Sequence, residues 1–170
     1  MIGHDHAMRY FFFGSLRDPD VLTAVLGRRP LPARIQPAWL RGFRLLHMRG
    51  ETYPLLAAAP AGVVRGALVH GLTEADAARL AFFEGEEYET TPVMARIGAR
   101  RRVRALVFQA RPELAGGGRP WDFAAWRRAH KRAFLPLARA WMAFHGHADF
   151  AQVEAMWRKR RIHGFGAALS

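Results

Sequence analysis

The chain has no cysteine and no asparagine, only two lysines against 24 arginines, and few acidic residues in its second half. Each shortage excludes something. Without cysteine there are no disulfides, no thiolate metal sites and no cysteine nucleophile. No run of about 18 apolar residues exists, so no transmembrane helix is expected. The N-terminal stretch "MIGHDHAMRYFFFG" lacks both a long apolar core and a small-residue cleavage site, so no signal peptide is expected and a cytoplasmic setting is the default. The basic excess is uneven: residues 1–95 carry ten basic and ten acidic side chains, residues 96–170 sixteen and four. That basic part would suit a polyanion. Arginine in place of lysine, with abundant Ala, Gly and Pro, instead matches a GC-rich coding bias and solvated faces. No recognised nucleic-acid module accompanies the charge, so nucleic-acid binding is not expected.

What is present suits one core and an extension. The chain has 170 residues and is 51% hydrophobic, enough to build a core. "MRYFFFGSL" reads as a buried strand ending in a Gly-Ser turn. "DPDVLTAVLG" reads as a short helix with Asp18 as N-cap, Pro19 at the first position and Gly27 as the stop. "AWLRGFRLLHM" (38–48) and "VVRGALVHGL" (63–72) read as strands whose glycines mark bulges or barrel corners. "TEADAARLAFFEG" is the clearest helix, with a Thr73–Asp76 capping box and Gly85 at its end. "YETTPVMARIG" and "RRVRALVFQA" read as two more strands. "PELAGGGRP" (112–120) reads as a linker. Trp126, Phe134, Leu137, Trp141 and Phe144 recur near helical spacing across a Pro136 kink, and "ADFAQVEAMWRKR" reads as a last helix. The expectation is an α+β fold with a closed or curled sheet over residues 8–112 and a helical extension over 120–165 packed on the same domain.

Two places could carry chemistry. The Gly-Ser turn presents backbone N–H groups, and Gly14 lets a ligand approach the main chain. Such amides can hold a carboxylate or a developing oxyanion, although a turn of this kind more often only connects a strand to a helix. The second place is "LAFFEGEEYE", which gathers four of the chain's 14 acidic residues. Glu84 closes the helix that Thr73 begins. Desolvation by two phenylalanines, the helix dipole and the nearby Glu86 and Glu87 would all raise its pKa. A carboxyl so tuned can shuttle protons near neutral pH. Glu86, Glu87 and Glu89 read as solvated. His4 and His6 suit a frayed terminus rather than a metal site, and His145 and His147 a turn. Ser15 has no histidine or acid to activate it.

Taken together, "FFFGSLRDPDVL", "YPLL", "VVRGALVHGLTEADAARL" and "FFEGEEYETTPV" resemble, in order and spacing, the γ-glutamylcyclotransferase-like family, which includes the AIG2-like proteins. The resemblance runs from about residue 9 to 110. It implies a small mixed β-barrel with flanking helices, and release of 5-oxoproline from a γ-glutamyl amine or peptide without metal or cofactor. It implies Glu84 as general acid/base, and the Phe13, Gly14, Ser15, Leu16 and Arg17 loop as the cradle of the γ-glutamyl group, with Tyr88 lining the pocket. Three polar handles differ: Phe13 and Phe108 stand where tyrosines are usual, and Ala81 stands where an aspartate usually precedes the glutamate. A catalytically silent module of the same fold, binding a small carboxylate or an acidic partner, is the competing reading. The leaving amine and the oligomeric state are left open.

Overall fold

The computed structural model describes residues 7–86, 88–110, 116–147, 149, 151, 152 and 155. Six strands form it: β1 (Met8–Phe12), β2 (Ile35–Met48), β3 (Pro54–Leu72), β4 (Tyr88–Ile97), β5 (Arg101–Ala110) and β6 (Gly116–Pro120). Three α-helices accompany them: α1 (Pro19–Leu26), α2 (Glu74–Glu84) and α3 (Phe123–Met142). The strands run β3-β1-β5-β4-β2, and β2 pairs back onto β3, so the sheet closes into a five-stranded barrel. β1 lies parallel to β5, and the other pairs are antiparallel. β6 pairs with the far end of β2.

The apolar run that begins at Tyr10 in β1 follows from its place in two cores. Phe11 and Phe13 point into the barrel with Leu40, Leu68 and Val107. Tyr10 and Phe12 point out, into a layer shared with α1 and α3. A strand buried on both faces reads as a continuous apolar run rather than an alternation. Gly42, at φ 88°, sits at the register shift of β2, which bends the long β2–β3 ribbon around the barrel. Gly66 packs against the Phe12 carbonyl and the Phe11 ring, where no Cβ would fit.

The predicted caps are present. Asp18 accepts from the N–H groups of Asp20 and Val21, and Gly27 ends α1 at φ 72°. Thr73 and Asp76 form the reciprocal capping box of α2. Two sequence expectations are corrected. β3 begins at Pro54, nine residues earlier than read, because residues 59–62 leave the ladder opposite Gly42 and so resemble a turn. Within the expected linker, Gly116–Pro120 is strand β6, bonded to β2; glycines hid it, since strand propensity is carried by side chains. The helix read in "ADFAQVEAMWRKR" lies mostly outside the described residues, as do His4, His6 and Trp157.

α3 continues through Pro136 and packs on the first core through Trp126, Phe134, Ala138, Trp141 and Met142. Charge ties it to α1. The fully buried Asp18 Oδ2 lies 3.1 Å from Arg127 Nε and 2.9 Å from Lys131 Nζ. Both contacts are ion pairs that join α1 to α3. Asp18→Ala removes both an N-cap and this tie, and a cost of about 2–4 kcal/mol is expected. The denaturant midpoint reads it; an unchanged midpoint would show that α3 is held by apolar contact alone. Among the described residues, no helix is long and apolar enough to cross a membrane.

Candidate active site

The Gly-Ser loop leaves β1 and tightens into a 3₁₀ turn, Ser15–Arg17. Phe13 and Leu16 are buried and anchor it from both sides. Within the turn, Arg17 N–H donates to Gly14 O and Asp18 N–H to Ser15 O, each at 3.0 Å. The N–H groups of Ser15 and Leu16 precede the first such bond and meet no acceptor among the described residues. They are two adjacent donors beside a glycine, able to accept an oxyanion or carboxylate. The Pro54 ring packs on Gly14, so that a Cβ there would come within 3.2 Å of its Cγ. This brings the "YPLL" stretch against the loop.

Tyr53, next to Pro54, faces Tyr88 with ring centroids 6.4 Å apart. Both rings pack on Leu46, Met48 and Leu55. Tyr88 in turn stands four positions after Glu84, across the Gly85 turn, and its N–H donates to Gly85 O. The chain of contact therefore runs from Gly14 through Pro54, Tyr53 and Tyr88 to the turn that carries Glu84. Arg17 goes elsewhere: its guanidinium lies 4.3 Å over the Phe123 ring of α3. Burial lowers its pKa, with Arg65 adding to the effect.

Glu84 closes α2, where Gly85 takes φ 78°. The residue keeps part of its surface open, while its carboxyl has lost enough water to push its pKa up to about 8. The cause is desolvation. The like-charge contribution expected from Glu86 is absent, because that side chain is exposed and water screens it; Glu87 lies outside the described residues. Among the described residues no cation pairs with Glu84. Other acids are held differently. Burial opposes ionisation of Asp76 too, but the Arg28 guanidinium and the Thr73 cap outweigh it and keep its pKa low.

The surroundings of Glu84 depend on α3, which the sequence reading left as packing outside the site. The Phe82 ring stacks on Trp141 at 5.4 Å, and the Phe83 ring meets Phe134 edge-on at 6.2 Å. Trp141 Nε1 donates to Phe82 O at 3.3 Å, holding the last turn of α2. Phe108, where a tyrosine is usual, stacks on Tyr10 at 5.5 Å within the helix-side core. The periodic aromatics of α3 and the "AFF" before Glu84 were the available signal; their contact was not readable without the fold.

This barrel, with its Gly-Ser loop and its helix-end glutamate, defines a γ-glutamylcyclotransferase-type protein. Residues 10–128 match the family "Gamma-glutamyl cyclotransferase, AIG2-like", and the chain belongs to it. AIG2-like protein A of Arabidopsis thaliana is 32% identical over 130 residues, which is 74% of this chain and 75% of that one. AIG2-like protein B of the same plant is 29% identical over 92% of this chain and 82% of its own. An Arabidopsis protein solved in solution superposes at TM-score 0.55 with 29% identity, over 82% of this chain and 93% of its own. A solved γ-glutamyl cyclotransferase shares the fold at TM-score 0.53 and 15% identity, over 62% of this chain and 67% of its own.

Proposed function

We propose that the protein releases 5-oxoproline from a γ-glutamyl amine or peptide. The observation that carries this reading is the placement of Glu84, which closes α2 four residues before Tyr88, with desolvation pushing its pKa up to about 8. The substrate's α-amino nitrogen attacks its own γ-carbonyl carbon, forming the C–N bond of a five-membered lactam. The bond from that carbon to the leaving nitrogen then breaks. The Glu84 carboxylate takes a proton from the attacking nitrogen and returns one to the leaving nitrogen, so no proton is gained or lost overall. In this reading the Ser15 and Leu16 amides hold the carbonyl oxygen as it gains charge. Phe13, Gly14, Leu16 and Pro54 fix the loop that orients the γ-glutamyl group, which matters because an intramolecular attack depends on a near-attack pose. Tyr88 forms a wall. Arg17 stands at the loop's end, beside Phe123.

Membership of the family and the cyclotransferase fold support the class of reaction. Purified protein incubated with a panel of γ-glutamyl amines and dipeptides is expected to release 5-oxoproline from at least one of them. Silence across the panel, combined with saturable binding of a small carboxylate, would replace this reading with the binding-module alternative. That alternative draws on the missing hydroxyls at Phe13 and Phe108.

A further inference from the structure

The outward face of the barrel carries an ordered array of cations that the reaction does not use. The strand registers align Arg65 of β3 with Trp39 of β2, Trp39 with Arg96 of β4, and Arg96 with Arg102 of β5. One row therefore crosses four strands as Arg, Trp, Arg, Arg, and spans roughly 14 Å at ordinary strand spacing. A second row lies two residues along. Arg41 pairs with Val63, Met94 pairs with Arg104, and continuing the Trp39–Arg96 register sets Arg41 beside Met94. All of these side chains alternate with barrel-interior residues such as Leu40, Val64, Ala95 and Ala105, so they share the outer face.

This face differs from an ordinary solvated one in three ways. Arg41, Arg65, Arg102 and Arg104 are exposed and Arg96 is half-buried, yet among the described residues none of the five side chains has an ion pair or hydrogen bond. No acidic residue shares the two rows. Two of the chain's exposed large hydrophobics, Val63 at 55% and Met94 at 51%, lie among the arginines, and Trp39 is left half-exposed between Arg65 and Arg96. Two other arginines pair with carboxylates: Arg28 with Asp76, and Arg127 with Asp18.

We infer that this face binds single-stranded nucleic acid across β3, β2, β4 and β5. A strand offers phosphates at regular intervals to guanidiniums, and unstacked bases to an aromatic between them; a sheet face carrying both is suited to each. The expectation from the sequence pointed away from nucleic acid because it looked for a module and weighed the basic C-terminal helices. The array here is assembled from arginines spread over residues 41 to 104, which only the registers bring together. An anionic bilayer or an acidic protein would also meet the charge, but neither repeats a flat ring beside each negative group as a single strand does, which is what Trp39 between two arginines suits.

The test uses the full chain. Binding of fluorescein-labelled single-stranded RNA and DNA of about 12 nucleotides, a matching duplex, and phosphatidylglycerol vesicles is measured by anisotropy or sedimentation across salt. Single strands are expected to bind more tightly than the duplex, with log affinity falling against log salt at a slope of about −3. Trp39→Ala should weaken binding about tenfold or more, and Trp39→Phe should restore most of it. Arg96→Gln with Arg102→Gln should flatten the slope by about 1. If RNA alone or DNA alone binds in this way, the inference stands and is narrowed. Equal binding of duplex with no effect of Trp39→Ala, retention of full affinity in the double arginine variant, preference for vesicles, or no binding at low salt would each overturn it.

Discussion

Glu84→Gln is expected to abolish turnover and, at the same time, to make the protein more stable above pH 5. The first effect follows from removing the proton shuttle, which is worth about 10²- to 10⁴-fold in kcat/KM. The second follows from the sign of the pKa shift. An ordinary glutamate of pKa 4.5 in the unfolded chain becomes one of about 8 in the fold. Below 4.5 both states hold the proton, and nothing is gained or lost. Between the two values the unfolded chain ionises while the folded one does not, so stability falls as pH rises. Glutamine has the shape without the proton. The variant should therefore gain on wild type progressively from pH 5 to 8, by about 1–3 kcal/mol after allowance for the partial exposure of the residue. Loss of activity with gain of stability marks a group kept for chemistry at the expense of the fold. Full activity in the variant would remove Glu84 from the mechanism.

Trp141→Ala is expected to cost about 3–5 kcal/mol, because it empties a buried site in the helix-side core. It should also act on the chemistry. Trp141 stacks on Phe82 and bonds its carbonyl, two residues before Glu84. Without that clamp, water reaches the end of α2 and the Glu84 carboxyl loses part of its desolvation. In protein that remains folded, the pH at which activity is half-maximal should drop below that of wild type. A purely structural tryptophan would lower the folded fraction and leave that midpoint where it was. Trp141→Phe keeps a ring against Phe82 and loses only the hydrogen bond, so it should cost about 1 kcal/mol and leave the midpoint nearly in place.

The caps, the α2 helix and the Gly-Ser turn were legible because each is fixed by neighbours in sequence: Asp18 with Val21, Thr73 with Asp76, Gly85 at a left-handed φ. The barrel itself was legible through glycines placed at bends, such as Gly42. Where pairing between distant strands decides, the reading failed. Residues 59–62 leave the ladder, so the strand was read only from Val63 although β3 begins at Pro54. β6 has no side-chain pattern to read, and only the edge of β2 makes it a strand. The site divided in the same way. Glu84 and its raised pKa could be argued from "AFFEG", but two of the three causes offered came from local charge and the dipole, whereas desolvation is the cause found. The two phenylalanines before Glu84 are themselves covered by Trp141 and Phe134, which lie 50 or more residues further along the chain.

The proton-shuttling role of Glu84 is tested most directly by the pH dependence of kcat/KM for 5-oxoproline release by the wild-type protein. The carboxylate must be free to accept a proton, and with a pKa of about 8 it is only about one-tenth ionised at pH 7. Activity should therefore climb roughly tenfold per unit through neutral pH and level off above about 8. A limb centred near 4.5, the ordinary value for glutamate, would contradict a desolvated Glu84 acting as the base.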